Sequence, residues 1–506
     1  MLKLLYAAVL CTAIQLTALA EVKVYPAPEK EAKFENCTLK VDGKNVDVYE
    51  CTVSKYPINQ VWPGYQRPIE QTEKAGFAYW DMGEDGATIE ITTTKTNCRN
   101  VVVRPLSLGI KPQFKKNKIT FKLNKIKPMV VEINGYHHAL HLFPNPIQDD
   151  SALKKTTLCA PQCSYCSTYL NEIPKDRDPH YYYFAPGRHD VGTLLLKSND
   201  RVHIAAGAVV YGSFVADDAE NIKISGKGIL DGGNIPRADR WARGGFGCLH
   251  FRNCKNVSVD GIVLRDPNSW CINVRRCTDV DISNLKLVGL WRYNSDGIDV
   301  WDSANVSFKD SFIRGYDDSF IIRADNINNK KISVENCVMW NDWGLSLAIW
   351  AWSQGGKGKS FEDISFKNID VIRTTGQAIH ISNKSQAAVR NVKFENINIE
   401  YDAWTPRQIL QRKENKAELY VPDPNDKFVP LAIFNESTAK DSLIENVSYE
   451  NINIVGRSDA PSIIRSRNAT CPIKNVTVKN LKINGKDAKD AAAANMNIQN
   501  AEVTFQ

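Results

Sequence analysis

Asp296, in Asn294-Ser295-Asp296-Gly297, and the adjacent pair in Tyr316-Asp317-Asp318-Ser319 are the residues whose type and spacing can do chemistry. Carboxylates flanking a glycosidic bond divide the work of hydrolysis. One keeps a proton and gives it to the leaving oxygen, while another takes a proton from water. Crowding supplies the unequal protonation, because each negative charge raises the pKa of its neighbours. A single aspartate would read as a solvated turn residue; three in this arrangement read as a site. Asp296 and Asp317 stand 21 positions apart. Neighbouring residues of an extended strand point to opposite faces, so Asp317 and Asp318 can serve one centre only where the chain bends between them.

The elements that must position these groups are written as a repeat. From about Val202 onward one phrase returns, as in Asn221-Ile222-Lys223-Ile224-Ser225-Gly226, Asn256-Val257-Ser258-Val259-Asp260-Gly261 and Asn446-Val447-Ser448-Tyr449-Glu450-Asn451. Its copies recur every 23 to 35 residues, with one interval of 55 that holds an insertion or two turns. Such a period signals a solenoid. Apolar residues alternate within each copy, so the units are short strands with one buried face. The recurring Asn suits a left-handed corner and can stack on its equivalents in neighbouring coils. No helical pattern lies between the strands, and a parallel β-helix is predicted. A step of 21 then places Asp296 and Asp317 on neighbouring strands of one face.

Residues 21–176 lack the repeat. Ala87-Thr88-Ile89-Glu90-Ile91, Ile119-Thr120-Phe121-Lys122-Leu123 and Val130-Val131-Glu132-Ile133 alternate as half-buried antiparallel strands, which predicts a β-sandwich domain ahead of a β-helix catalytic domain at 177–506. The stretch from Asn145 to Pro179 reads as the linker, and 397–435, rich in charge and Pro, as a loop outside the helix. Residues 1–20, with Lys3, an apolar run and Ala18-Leu19-Ala20, read as a signal peptide, so a secreted chain is expected. No later segment is long and apolar enough for a membrane span. The net charge of +7 over 506 residues, without a basic run, argues against a nucleic-acid partner. Of thirteen cysteines, Cys37 with Cys51, and Cys159 with Cys163 or Cys166, are candidate disulfides. The Cys159 cluster lacks a fourth ligand at zinc-site spacing. Cys254, Cys277 and Cys337 sit at equivalent repeat positions and read as stacked, buried thiols.

The carboxylate motifs resemble those of the polygalacturonase family and its relatives acting on dextran and pullulan, all right-handed β-helices. The family's Asn-Thr-Asp-Gly matches Asn294-Ser295-Asp296-Gly297, and its Asp-Asp matches Asp317-Asp318. Phe184-Ala185-Pro186-Gly187-Arg188-His189 and Gly226-Lys227-Gly228-Ile229-Leu230-Asp231-Gly232 resemble its opening coils, and the likeness covers roughly residues 180–400. It implies Asp317 as general acid, Asp296 and Asp318 as the groups that position and deprotonate water, inversion at the anomeric carbon, a polysaccharide substrate, a monomer, and neither metal nor cofactor.

Two departures bear on the substrate. Asp342-Trp343-Gly344 stands where polygalacturonases have Gly-His-Gly, and Ala378-Ile379-His380 where they have Arg-Ile-Lys. Losing those cations removes the charge-assisted contacts that a uronate needs. Trp270, Trp291, Trp301, Trp340, Trp343, Trp350 and Trp352 cluster around the carboxylates and suit sugar stacking. The dextranase and isopullulanase branch keeps the carboxylates without those cations and carries an N-terminal β-sandwich, so a neutral α-glucan is expected, with polygalacturonan the alternative. Asn294, Trp343, Arg323, His380, Trp291 and Trp301 are the expected substrate-binding residues. Arg240, Arg243 and Arg292 read as surface charge. A calcium-dependent β-helix lyase and a non-catalytic glycan-binding β-helix are the competing readings.

Overall fold

A computed structural model describes residues 21–56, 58–59, 62–148, 181–235, 237, 247–324, 328–351, 357–401, 409–410, 429–439, 442–456 and 461–506. The expected signal peptide, Cys159, Cys163, Cys166, Arg240, Arg243, Trp352 and the domain boundary near 176 lie outside the described residues.

The alternating phrase becomes strand, and its Asn or Asp becomes the corner. Asn221, Asn256, Asp279, Asn305, Asn391, Asn446 and Asn475 all adopt φ between 49° and 59°, the left-handed region that a short polar side chain tolerates. Their amides form a ladder along the coils: Asn256 donates to Asn221 at 2.7 Å, Asn305 to Asp279 at 2.9 Å and Asn475 to Asn446 at 2.7 Å. A second ladder, Asp310–Asn336–Asn368–Asn396–Asn451–Asn480, edges the other side of the same sheet. The coils close into three parallel sheets around one interior. Ile222, Val257, Val280, Val306 and Ile332 run in register down the ladder-edged sheet. Val263, Lys286 and Phe312 follow one another in a second sheet, and Ile272, Ile298, Phe320, Leu347 and Ile379 in a third. The interval of 55 is one long insertion, because Val392 pairs directly with Val447. The expected 397–435 loop is therefore shorter, since Ala388–Tyr401 and Leu431–Asn435 are strands of the helix.

The first domain is the expected sandwich. A five-stranded sheet (Cys37–Val41, Lys44–Val46, Ala87–Thr93, Gln113–Lys115 and Lys118–Leu123) packs on a six-stranded one that includes Tyr49–Ser54, Thr72–Met82 and Met129–Ile133. Ile89, Ile91 and Phe121 meet Trp80, Val131 and Leu142 between them. One pairing departs from the antiparallel expectation, as Leu140–Pro146 lies parallel to Thr72–Met82.

The outer face of the six-stranded sheet is apolar as well. Tyr49, Phe77, Tyr79, Val130 and Phe143 cover Ile229, Val263, Val288, Phe312 and Val338 of the second helical sheet. That sheet is buried on both faces, which is why Ile229-Leu230, Val263-Leu264 and Val338-Met339 read as continuous apolar runs. Buried ion pairs lock the joint: Lys227 to Asp81 at 2.5 Å and Arg265 to Glu31 at 2.6 Å. The same two-sided burial overturns the Cys37–Cys51 disulfide. Cys37 points into the sandwich core and Cys51 into the joint with the helix, and both are free thiols, as are all nine described cysteines. Cys254 and Cys277 stack as expected, with the Cys254 N–H donating to Cys277 Sγ at 3.4 Å. Cys337 lies instead at the other corner, beside Ser311, whose carbonyl accepts from Val338.

Candidate active site

The corners between the second and third sheets carry the carboxylates. Asp296 closes one corner before the strand Ile298–Trp301, and Asp317 and Asp318 close the next before Phe320–Arg323. They thus lie in turns of neighbouring coils rather than on strands. The corners stack directly: the Gly297 N–H donates to Asp318 O at 2.7 Å and the Asp317 N–H to Ser295 O at 3.4 Å. The bend at Asp317-Asp318 is held from the following coil by Asn341, whose amide donates to Asp317 O at 2.6 Å and Ser319 Oγ at 3.1 Å.

Gly344 lets the third corner settle onto that bend. A Cβ there would stand 2.5 Å from Asp317 C and 2.6 Å from Asp318 N, backbone atoms with no side chain to swing away. Gly344→Ala is therefore expected to cost about 1–3 kcal/mol of stability. It should also lower kcat by ~10-fold or more with little change in KM, because misplacing a reacting group by a fraction of an ångström is costly. Thermal melts and initial rates check both parts.

One oxygen from each of Asp296, Asp317 and Asp318 lies within 4.8 Å of the others. All three are buried, and a fourth carboxylate, Asp299, is wholly inaccessible beneath them. Arg323 is the cation among them: Nη2 reaches Asp296 at 3.0 Å and Asp318 at 2.9 Å, and Nε reaches Asp299 at 3.1 Å. Its guanidinium is flanked by the rings of Trp301 and Trp350, each 5.5 Å away, and Trp270 at 5.9 Å. Asp318 also accepts the Leu345 N–H at 2.9 Å, so both its oxygens are held. Among the described residues Asp317 has no ion pair; its carboxyl meets the Asn294 amide at 3.4 Å and the backbone N–H of Asp318.

Burial and mutual repulsion raise these groups unequally. Asp317 is pushed well up by burial and then by Asp318. Asp296 is pushed well up by burial, Asp299 and Asp317. Burial lifts Asp318 too, but Arg323 and the Leu345 N–H oppose it. The carboxyl with the least support for a negative charge is Asp317, which suits an acid; Asp318, held by both Arg323 and the Leu345 N–H, suits a base.

A cleft of about 460 Å³ opens over these corners, lined by Tyr293, Asn294, Asp317, Asp318, Arg323 and Trp343, and further along by Trp350, His380, Lys384 and Phe434. Of the expected substrate residues, Asn294, Trp343, Arg323 and His380 line it. Trp301 stands beside it, its ring tilted against Trp270 with centroids 6.1 Å apart and covered by Arg323. Trp291 is not brought to the cleft: it is buried behind the corner, its indole N–H donating to Asp266 at 2.8 Å and Arg292 stacked on its ring. Trp340 is likewise buried, with Arg314 over its ring at 4.0 Å. Arg292 pairs with Asp266 at 3.0 Å. His380 is pushed down to about 4 by burial and by Lys384, so it presents a neutral imidazole.

Sequence reasoning missed Asp299, Lys384, Phe434 and Glu436. Strand alternation could have found Asp299, since Ile298 and Val300 point inward and Asp299 and Trp301 must point out. Lys384 and Phe434 meet only because the insertion closes a coil, and no local pattern announces that. Lys384 restores a cation that the departures from polygalacturonases had removed, but it pairs with Glu436 at 3.2 Å.

Residues 191–423 match Glycosyl hydrolases family 28. Among curated proteins, the chain is 24% identical over 215 residues to a dextranase from Arthrobacter globiformis, covering 38% of this chain and 32% of that protein. It is 25% identical over 245 residues to a probable endopolygalacturonase D from Neosartorya fischeri, covering 43% and 50%. The chain thus spans between a third and a half of these relatives. Dex49A from Penicillium minioluteum shares the fold at 15% identity and a TM-score of 0.61, over 95% of this chain and 96% of that one. No helix among the described residues is long and apolar enough to cross a membrane. The resemblance to the polygalacturonase family is borne out over part of the chain: residues 191–423 match Glycosyl hydrolases family 28, and the described strands among them wind a parallel β-helix.

Proposed function

We propose that the chain is a secreted, monomeric, inverting hydrolase of α-glycosidic bonds in a neutral α-glucan of the dextran or pullulan type. Asp317 protonates the leaving oxygen. Asp296 and Asp318 hold the attacking water and take its proton. Asn294, Trp343, Trp301 and His380 bind sugar, and Arg323 serves the carboxylates. The observation that carries the substrate class is the state of the cations in the cleft: Arg323 is committed to three aspartates, and Lys384 shares an exposed pair with Glu436, whose negative charge opposes a uronate. A uronate carboxylate would meet no cation free of a neighbouring carboxylate among the described lining residues, whereas the C–H faces of a neutral sugar on the Trp343 and Phe434 rings require none.

What the carboxylates can still do supports inversion. A retaining mechanism needs a carboxylate free to attack carbon. Asp318 has both oxygens engaged, which suits holding water rather than attacking carbon, while Asp296 has Oδ2 on Arg323 and a buried Oδ1 that can accept from the same water. The 4.8 Å limit on the oxygens is shorter than the ~6.5–9.5 Å of most inverting pairs, so the product's anomer is the sharpest test. Dextran, pullulan and polygalacturonate are the substrates to screen, with the first product followed by NMR and a chelator in a parallel assay. The expected result is β-anomer from an α-glucan, unchanged by the chelator. Turnover confined to polygalacturonate would overturn the substrate class, α-anomer would overturn inversion, and unsaturated products lost with the chelator would make the enzyme a lyase.

A further inference from the structure

Three aspartates account for the proposed chemistry, and a fourth has no part in it. Asp299 projects from the outward side of Ile298–Trp301, in register with Asn273 before it and Ile321 after it. It is wholly buried, and the Trp301 indole N–H approaches it without a well-aligned hydrogen bond to either oxygen. What faces it is charge: Arg323 Nε at 3.1 Å from the following coil, with Asp296 in the preceding turn and Asp317 and Asp318 in the corner above. The same row continues as His250 and Asn273 on one side and Ala348 and His380 on the other, and the neighbouring cation, Arg275, lies over the Trp301 ring at 5.4 Å. Four carboxylates thus crowd around one guanidinium that pairs with three of them. Four negative charges there against one positive are untenable, so protons must stay bound.

We propose that Asp299 is a positioning residue of this centre: through Arg323 it sets where the guanidinium stands between Asp296 and Asp318, and by its own charge it keeps the proton on Asp317. Arg323 cannot drift towards the reacting pair, because Asp299 draws its Nε inward while the Trp rings close its faces. The electrostatics have the same sense. Asp299 is itself pushed up to about 7 by burial, against the pull of Arg323, and its negative charge raises Asp317 and Asp296. As pH rises through that range, Asp299 ionises and Asp317 holds its proton to a higher pH than it otherwise would, which extends activity on the alkaline side.

The test rests on Asp317 being the acid, so Asp317→Asn is measured first; retained turnover there would overturn the mechanism rather than this inference. Asp299→Asn keeps the shape and an acceptor for Arg323 but removes the charge. The alkaline limb of its kcat/KM–pH profile is expected to move to lower pH by about one unit, the low end of a nearby-charge effect. The Asp317 carboxyl signal in 13C NMR, assigned by its loss in Asp317→Asn, should titrate lower by the same amount. Superimposable limbs and titrations would overturn the proposal. Asp299→Ser is the second variant, and failure of both to fold would assign Asp299 to the fold alone, which overturns it equally.

Discussion

Replacing Asp317 by Asn is expected to lower kcat by ~10³-fold, within the range that a general acid contributes, while KM changes far less. The amide cannot deliver a proton to the leaving oxygen, yet it fills the same volume and keeps its place beside Asn294. Stability should move the other way. Asp317 is raised well above the usual carboxylate range in the folded chain, so its contribution is fully present below the unfolded pKa of about 3.9 and is lost as pH rises through the folded value. A neutral amide escapes that loss. Asp317→Asn should therefore melt higher than the wild type at neutral pH, with the gap closing as pH falls towards 4. Rates with calorimetry across pH check both signs, and a variant that is both fully active and no more stable would remove Asp317 from the mechanism.

Arg323→Gln should be the most destabilising single change at this centre. It leaves Asp296, Asp299 and Asp318 buried without their cation, and breaking a buried pair from one side costs about 3–5 kcal/mol. Their carboxyls rise further in the folded state. The stability deficit against the wild type is therefore smallest near pH 4, where all are protonated, and grows through neutral pH. Activity should fall with it by ~10²-fold or more, because the groups that must accept a proton from water are then already protonated. Denaturant melts at pH 4 and pH 7.5 separate the charge effect from lost packing against Trp301 and Trp350. A deficit independent of pH would show that Arg323 serves only as packing.

Much of this protein was legible in order along the chain. The repeat of apolar pairs and Asn corners determines the β-helix, because each coil can bury its apolar face only against the next and the Asn side chains satisfy one another from coil to coil. The alternation in Ile89–Ile91 and Ile119–Leu123 determines half of the sandwich. The Asn-Ser-Asp-Gly and Asp-Asp motifs, one coil apart, locate the centre. What could not be read there depended on partners distant in sequence. The Cys37–Cys51 pairing failed because a sheet buried on both faces sends the two thiols into different cores. Nearness to the carboxylates along the chain put Trp291 among the sugar-binding residues, yet its indole is spent on Asp266 behind the corner.

Side-chain direction decided among the tryptophans. Trp343 and Trp350 line the cleft, Trp301 stands against Arg323, and Trp291 and Trp340 turn away behind it, although all five lie close together in sequence. By itself, then, the sequence determined the coil, its corners and the three carboxylates, because those follow from contacts between equivalent positions of a repeat. Only the tertiary structure decided that Arg323 and Asp299 share the centre with them, that Lys384 is already paired, and that the sandwich covers one helical sheet and leaves the next open as the cleft. Charge balance and burial are properties of the whole neighbourhood of a residue, and that neighbourhood exists only once distant coils have stacked.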